Sequence, residues 1–258
     1  GVGLVGSEMC IRDRFRIERL KQIQILDPEK HSNRILNQLK IDLKMDDIPS
    51  HIECFDISNI QGTNTVAACV VFMNAKASKS NYRKYNIKSV SGPNDFASME
   101  EVVFRRYRRL IDEKKALPQL IVIDGGKGQL SSAVKSLKKL NIESKVTIIG
   151  IAKRLEEIYF PGDSIPLYLN KKSESLKIIQ NLRNEAHRFG IEFHKSKRVK
   201  NAMTSIFDNI DGVGEKTKNK LLKKYKSLAM IKKLSFEEIK GEIGSDKAKK
   251  ILEAFEKI

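Results

Sequence analysis

The fold of this chain is decided by two stretches, ECFDIS at residues 53–58 and IVIDGGKGQ at residues 121–129. Each places an aspartate, Asp56 or Asp124, within or at the end of an apolar, β-branched run, the pattern of a carboxylate carried on a buried strand. Two such strands lying side by side hold two carboxylates close together. Paired carboxylates bind divalent cations in proteins, so these stretches predict a Mg²⁺ or Mn²⁺ site.

Each aspartate also has a structural interpretation. Asp56 at a strand end is able to cap the following turn, although a buried carboxylate is costly unless it is paired or metal-bound. Asp124 precedes two glycines, which allow a sharp turn and a close approach to a ligand. The alternative for GGKGQ is a phosphate-binding loop, but the stretch lacks the GxxxxGK[ST] spacing. Lys127 and Gln129 are instead expected to contact a DNA phosphate or the strand that is cut.

The order of the predicted elements indicates the architecture. Three successive strands, joined by short turns, predict an antiparallel meander. The strands are predicted at 51–57, 65–72 and 82–87, followed by a helix at 95–115, a strand at 120–123, a helix at 130–140, a strand at 146–151, a hairpin at 157–169 and a helix at 173–197. Strands separated by helices pair in parallel through right-handed crossovers. The prediction is an α/β protein with a mixed sheet and flanking helices, in the order of the RNase H-like fold, which places Asp56 beside Asp124.

The first residues need separate treatment. Residues 4–14 read LVGSEMCIRDR, which resembles the in-frame translation of a sequencing adapter. Residues 1–14 are therefore expected to be an artefact rather than a signal peptide, and a natural N-terminal region is expected to be missing.

Composition divides the rest of the chain into three parts. Residues 15–48 alternate basic and apolar positions at helical spacing and predict a helical lead-in. Residues 49–200 make up the α/β domain. Residues 201–258 predict a separate, small all-α domain of short, lysine-rich helices, preceded by a polar boundary at 195–203.

The charge of the chain indicates a polyanionic partner. The net charge is +17, with 49 Lys and Arg against 32 Asp and Glu, and the last 64 residues hold 17 basic and 9 acidic residues. A lysine-prone composition is the alternative explanation, but fixed cationic charge binds phosphates by releasing counterions. No apolar stretch approaches the roughly 18 residues needed to span a bilayer, so no membrane partner is expected. Cys54 and Cys69 form no CxxC pair and are expected to be core thiols in a reducing compartment.

Further site candidates lie on the predicted helices. His187, in RNEAHRF at 183–189, is expected to complete a metal site or to position a water, and His194 is the rival candidate. Asp95 opens the helix at 95–115, either as a first-turn acid or as a supporting carboxylate. The same helix carries basic side chains that form a solvated face or hold phosphates: Arg105, Arg106, Arg108 and Arg109.

The C-terminal domain contains a helix-hairpin-helix pattern, IDGVGEKT at 210–217. Gly212 and Gly214 allow a tight hairpin whose backbone N–H groups face a phosphate at a helix N-terminus. Lys216 and Lys218 add positive charge there, and a plain interhelical turn is the alternative. A second copy, IKGEIGSDK at 239–247, has irregular glycine spacing.

Together these motifs resemble UvrC, the excision nuclease subunit of bacterial nucleotide excision repair. The resemblance rests on strings that occur in the family's order: IECFDISNI at 52–60, GPNDFASM at 92–99, YRR at 107–109, IDGGKGQL at 123–130, RNEAH at 183–187 and the hairpin at 211–216. It covers the chain from about residue 52 to its end.

The resemblance implies a bacterial, cytoplasmic, metal-dependent DNA endonuclease that makes the 5′ incision at damaged double-stranded DNA. It implies Asp56, Asp124 and His187 as catalytic and metal-binding residues, Asp95 as a further acid, Mg²⁺ or Mn²⁺ as cofactor and UvrB as partner. The family's N-terminal nuclease domain and its usual UvrB-binding segment are not visible in this sequence. The alternative function is a non-catalytic, structure-specific DNA-binding module on a degenerate nuclease fold.

Overall fold

A computed structural model describes residues 27–58, 65–88, 90, 92, 94–152, 157–208, 210, 212–225, 228–231 and 234–256. Only the backbone is described at 195–208, 222–223, 228–229 and 256. The adapter-like segment and the first part of the predicted lead-in lie outside these residues. The chain divides into two compact units, Gly1–Gly190 and Ile191–Ile258.

The first unit is built on a mixed sheet. Its strands are β1 (His51–Ser58), β2 (Val66–Met73), β3 (Lys76–Ala77), β4 (Arg83–Asn86), β5 (Leu120–Asp124), β6 (Thr147–Ala152) and β7 (Glu157–Tyr159). The strand order is β3-β2-β1-β5-β6-β7, and β4 pairs with β2. β1 is antiparallel to β2 but parallel to β5, which is parallel to β6. The predicted mixed α/β sheet is thus confirmed.

Helices flank the sheet and make up the second unit. They are α1 (Pro28–Asp42), α2 (Asp95–Asp112), α3 (Lys127–Lys139), α4 (Glu174–Asp208), α5 (Glu215–Tyr225), α6 (Leu228–Ile231), α7 (Phe236–Ile243) and α8 (Ser245–Glu256). The helix predicted to end near residue 197 continues to Asp208, so the polar stretch expected to be a boundary is helical. Polarity alone does not end a helix, and residues 195–208 contain neither proline nor glycine. None of the described helices meets the length and hydropathy needed to cross a membrane.

The parallel register of β1 and β5 places the two predicted carboxylates side by side at the carboxyl ends of these strands. Phe55 is paired with Ile123, so the next residues along these strands, Asp56 and Asp124, are neighbours. Both strands are buried on both faces over nearly their whole length, as expected for central strands covered by helices. Burial against both layers determines the register, because a slip of one residue would turn each side chain to the opposite face.

The loop after β5 crosses close to β6 because β6 has a glycine at the contact. A Cβ on Gly150 would lie 2.9 Å from the backbone oxygen of Gly125. A side chain at position 150 would therefore push away the turn that follows Asp124. This glycine helps to hold the carboxyl end of β5 in place.

A buried ion pair joins α2 to β1 on the face of the sheet opposite the Asp56 side chain. Glu53 is fully buried; its carboxylate accepts hydrogen bonds from Arg106 at 2.5 and 3.1 Å and from the Tyr107 hydroxyl at 3.1 Å. His51 Nε2 lies 3.1 Å from the same carboxylate. Burial raises the pKa of Glu53, but the hydrogen bonds from His51 and Arg106 outweigh it, so the net pKa lies below its ordinary value.

We expect Glu53→Gln to destabilise the first unit. The substitution leaves the Arg106 guanidinium buried without its counter-charge, and breaking such a pair costs about 3–5 kcal/mol. Because folding lowers the Glu53 pKa, its contribution is complete above pH 4.5 and is lost as pH falls through the lower folded value. Urea unfolding at pH 7 should give a lower free energy of unfolding for Glu53→Gln than for the native chain. Under acidic conditions this difference should be smaller.

The control for this measurement is Glu113→Gln. Glu113 lies on the surface at the end of α2, where hydrogen bonds from Lys115 and Arg109 lower its pKa to about 2. Its removal should leave the unfolding free energy nearly unchanged, because exposed ion pairs contribute little. Equal losses in the two variants would contradict a special role for the buried pair.

Candidate functional site

Three side chains named by the sequence analysis lie together at the carboxyl end of β1 and β5. Ligand atoms of Asp56, Asp124 and His187 all lie within 4.8 Å of one another. His187 Nδ1 is 3.4 Å from Asp56 Oδ2. Asp56 and Asp124 are only 2% and 4% exposed, whereas the His187 side chain is half-exposed. The cluster thus combines two buried carboxylates with an imidazole that solvent reaches.

Contacts between α4 and the residues at the start of β4 position His187. The Tyr82 hydroxyl donates a hydrogen bond to Glu185 at 3.2 Å. The Phe189 ring packs edge-to-face on Tyr82 with 5.1 Å between centroids, and Lys84 Nζ lies 4.6 Å from the Phe189 ring centre. Because these contacts lie two residues on either side of His187 along α4, they fix the helix over the sheet edge.

Gly190 allows α4 to approach Asp56. A Cβ at this position would lie 3.3 Å from Asp56 Oδ2 and 3.7 Å from the Cβ of Ala68. Gly190 is three residues after His187, so the two share one face of the helix. The sequence analysis did not identify this residue; a glycine inside a strongly helical stretch is the signal that marks such a close approach.

The electrostatics of the cluster favour a cation. Burial raises the pKa of the Cys54 thiol well above its ordinary value, and the negative charges of Asp124 and Asp56 raise it further. Two buried carboxylates at this separation repel each other, and a bound cation removes that cost. Carboxylate oxygens suit Mg²⁺ and Mn²⁺, and imidazole is a common metal ligand. The donor set therefore fits a divalent metal ion.

Two other candidates lie outside this group of three within the described residues. Asp95 is in the first turn of α2, directly after Asn94, whose side chain caps the helix by accepting a hydrogen bond from Ala97. His194 is buried on α4. The structure thus gives Asp95 the position of a first-turn acid, and its supporting role stays a prediction.

The arginines predicted to hold phosphates lie on the helix that covers the opposite face of the sheet. Side chains alternate along a strand, and α2 contacts β1 through Glu53 and Phe55, whose side chains point away from the face that bears Asp56. Three of the four arginines also pair with an acid four residues away: Arg105 with Glu101, Arg108 with Asp112 and Arg109 with Glu113. Arg106 pairs with Glu53 instead. The structure does not bring Arg105, Arg108 and Arg109 to the carboxylate cluster.

Lys127 and Gln129 lie in the first turn of α3, just after Asp124. Lys127 Nζ donates a hydrogen bond to the backbone oxygen of Ser164 at 2.7 Å and lies 4.8 Å from the Tyr159 ring centre. The Gln129 side chain covers Gly125, where an added Cβ would overlap its amide. Both side chains therefore border the turn after β5, and their contact with DNA stays a prediction.

The second unit contains the predicted hairpin. Gly212 has a φ of +83°, and Val213 N–H donates to the Ile210 oxygen at 3.1 Å, closing a turn directly before α5. Gly214 accepts backbone hydrogen bonds from positions 217 and 218 at the start of that helix. Lys216 is exposed on its first turn, whereas Lys218 is buried.

The second hairpin has a different backbone. Its positive φ, +88°, is at Gly244, the residue that ends α7 and directly precedes α8. Gly241 lies within α7, whereas Gly212 forms part of the first turn. The irregular glycine spacing seen in the sequence thus corresponds to a hairpin of different geometry. Lys247 Nζ lies 3.4 Å from Thr217 Oγ1, so the starts of α8 and α5 are adjacent.

We expect Gly190→Ala to weaken metal binding without destabilising the fold. The new methyl group crowds the Asp56 carboxylate at 3.3 Å, while alanine favours a helix interior over glycine by about 0.5–1 kcal/mol. Isothermal titration with Mn²⁺ should show lower affinity, and thermal unfolding should show equal or higher stability. Gly241→Ala, also within a helix but with open space around its Cβ, should leave Mn²⁺ affinity unchanged.

We expect Gly212→Ala to impair the first hairpin. An L-residue at φ +83° is strained by about 1–2 kcal/mol, so either the second unit loses stability or the turn changes shape. DNA affinity, measured by fluorescence anisotropy, should fall with it. Gly241→Ala, outside the first hairpin and within α7, is the matched control, since a Cβ there meets nothing within 4 Å and its φ is not positive. Equal affinity of both variants would contradict a role for the Gly212 turn.

Comparison with known proteins gives consistent results for this chain. The profile of the UvrC RNAse H endonuclease domain matches residues 40–191, more than half of the chain. UvrABC system protein C of Flavobacterium psychrophilum is 61% identical over 97% of the chain and 42% of its own length. The same protein of Christiangramia forsetii is 63% identical over 91% and 39%. The chain thus spans about two fifths of the length of these relatives.

Solved structures also overlap with the chain. One of them is Ciona intestinalis endonuclease V in complex with an inosine-containing 24mer DNA, at 21% identity and a TM-score of 0.31, covering 64% of this chain and 69% of that one. This overlap is too low to support a common fold by itself. The domain match and the identity to the relatives are decisive: the chain belongs to the UvrC family, through its RNase H endonuclease domain.

Proposed function

We propose that this chain is a divalent-metal-dependent DNA endonuclease that makes the 5′ incision at damaged DNA in nucleotide excision repair. The observation that carries the proposal is the approach of Asp56, Asp124 and His187 ligand atoms to within 4.8 Å of one another. Family membership supports the reaction class. Because the chain spans only part of its relatives, the activity is proposed for this chain rather than taken over from them.

The residues of the site have different roles in phosphodiester hydrolysis. Asp56 and Asp124 would hold the metal ion, since both carboxylates are buried at the ends of rigid central strands. Bound Mg²⁺ or Mn²⁺ would supply Lewis acidity and positive charge where negative charge develops on the phosphate. Strand-borne ligands keep their geometry better than ligands on loops, which favours a preorganised site.

His187 completes the ligand set from α4, the helix that packs over these strands. Its Nδ1 faces Asp56 Oδ2 at 3.4 Å, which orients the ring, and its exposed side chain is accessible to a substrate that lies across the sheet edge. A ligand on α4 joins a helix to the two strands, so metal binding would fix α4 more firmly on the sheet. Replacing His187 should weaken the site less than replacing either carboxylate, because the two negative charges supply most of the attraction for a divalent cation.

The proposed substrate and partner are inferred from the charge of the second unit and from family membership. The second unit carries much of the basic excess and two glycine turns that precede helices, an arrangement suited to backbone phosphates. Damaged double-stranded DNA is the proposed substrate, and UvrB is the proposed partner through family membership. A bacterial cytoplasmic location belongs to the same proposal.

The test of this function is nicking of a duplex that contains a bubble or a lesion, in the presence of Mn²⁺. The native chain should cut the damaged strand, and Asp124→Ala should lose about 1,000-fold in rate, because removing a carboxylate ligand costs several kcal/mol of transition-state stabilisation. Binding of the same duplex should be retained. Asp47→Ala, an exposed aspartate before β1, is the matched control and should cut normally.

The outcomes separate the two candidate functions. Equal nicking by the native chain and Asp124→Ala would place the activity elsewhere or in a contaminant. Tight DNA binding without nicking, in a chain that binds Mn²⁺ and is supplied with UvrB, would favour the non-catalytic DNA-binding module.

A further inference from the structure

Two large apolar side chains are exposed beside the turn that follows Asp124. Phe96, in the first turn of α2, is 56% exposed, and Ile165, in the connection after β7, is 78% exposed. Phe96 is the one phenylalanine, and Ile165 the most exposed side chain, among the large apolar residues that the structure describes as exposed. Single exposed apolar residues are ordinary, but two that lie near the same turn beside a functional site indicate an interaction surface.

The Phe96 ring and the segment that precedes Ile165 both contact the first turn of α3. A Cβ on Gly128 would lie 2.5 Å from the Phe96 ring, so the ring rests on the bare backbone of this turn. Lys127 Nζ donates to the backbone oxygen of Ser164, the residue before Ile165. The two contacts come from successive residues of one helical turn, so Phe96 and the segment that carries Ile165 lie at the same end of α3.

Further hydrogen bonds hold the segment that carries Ile165. Ile158 and Leu167 exchange backbone hydrogen bonds at 3.1 and 2.7 Å, which closes the hairpin. The Glu157 carboxylate accepts hydrogen bonds from the hydroxyls of Tyr159 and Tyr168 at 2.7 and 2.8 Å. The hairpin therefore presents Ile165 from an ordered backbone, which lowers the entropy cost of a contact.

This surface lies within reach of the metal ligands. Lys127 is three residues after Asp124 and Gly128 is four, so their Cα atoms lie at most about 11 and 15 Å from that of Asp124. Bases next to a phosphate held at Asp124 would therefore lie over this turn. The start of α3 has positive potential, from Lys127 and from the free backbone N–H groups of a helix N-terminus, which suits a polyanionic strand.

We propose that Phe96 and Ile165 contact unstacked bases beside the phosphodiester that is cut, so that the site selects DNA with unpaired bases over regular duplex. The proposal rests on the proposed endonuclease function. Aromatic rings stack on bases of any sequence, and aliphatic side chains act as wedges between base steps. Phe96 would stack on one base, and Ile165 would separate it from its neighbour. Such a contact is independent of base sequence.

The test uses the full chain in an Asp124→Ala background, which leaves the DNA intact. Dissociation constants are measured by anisotropy at one fixed salt concentration, for a bubble duplex and for the same duplex fully paired, with 2-aminopurine as a stacking probe in the bubble. We expect a preference for the bubble of about tenfold or more, and quenching of 2-aminopurine. The double variant Phe96→Ala/Ile165→Ala should lose most of the bubble preference and most of the quenching. It should bind the fully paired duplex with the same affinity as the parent chain.

Two further variants control the result. Ile41→Ala removes an equally exposed side chain, 67% exposed on α1, which leads into the opposite end of β1, and should keep the preference. Phe96→Trp keeps an aromatic face and should keep both preference and quenching. Unchanged preference and quenching in the double variant would overturn the proposal and would favour a protein segment as the partner of this surface. No preference in the parent chain would overturn it as well.

The two proposals fail in different ways. Nicking is measured separately in chains that retain Asp124. A bubble preference that depends on Phe96 and Ile165, in a chain that does not nick, supports the base contact and refutes the endonuclease. Nicking that is equally selective for the bubble in the native chain and the double variant supports the endonuclease and refutes the base contact.

Discussion

The parallel pairing of β1 with β5 is the constraint on which the rest of the structure depends. It aligns Phe55 with Ile123 and so places Asp56 and Asp124 side by side at the carboxyl ends of the two central strands. Burial on both faces holds this register, because a slip of one residue would move every apolar side chain to the wrong side. Two carboxylates in such a place are costly alone. A bound cation would remove that cost, so the proposed metal site and the fold depend on the same strand pairing.

The side chains on the two faces of β1 have different roles. On one face, Glu53 binds Arg106 and Tyr107 and holds α2 against the sheet. On the other face, Asp56 meets α4, which approaches closely because Gly190 has no side chain. The structural ion pair at Glu53 and the candidate metal centre at Asp56 thus lie only three positions apart on one strand. The structural pair is fully enclosed, whereas the candidate metal centre opens to solvent at His187, as an exchanging ligand and a substrate require.

The turn after β5 connects the metal ligands with the surface around them. Gly150 gives it space on β6, Gln129 covers it, and Lys127 ties it to the hairpin that carries Ile165. A phosphate near Asp124 would therefore meet a surface that is cationic and apolar together. Cationic charge attracts the backbone of any nucleic acid, but exposed apolar groups discriminate between stacked and unstacked bases. This combination gives structural selectivity without base-specific hydrogen bonds.

The sequence alone determined the fold class and the identity of the three converging residues. Strand-borne aspartates carry a local signal, because polar residues interrupt apolar runs, and RNEAH marked His187 through its resemblance to the family. Tertiary structure alone decided what depends on distance between segments. It separated Arg105, Arg108 and Arg109 from the carboxylates, because helix periodicity does not reveal which sheet face a helix covers. It also showed that Gly190 packs against the Asp56 carboxylate and that Phe96 packs against the bare backbone of Gly128. No local sequence pattern records these contacts.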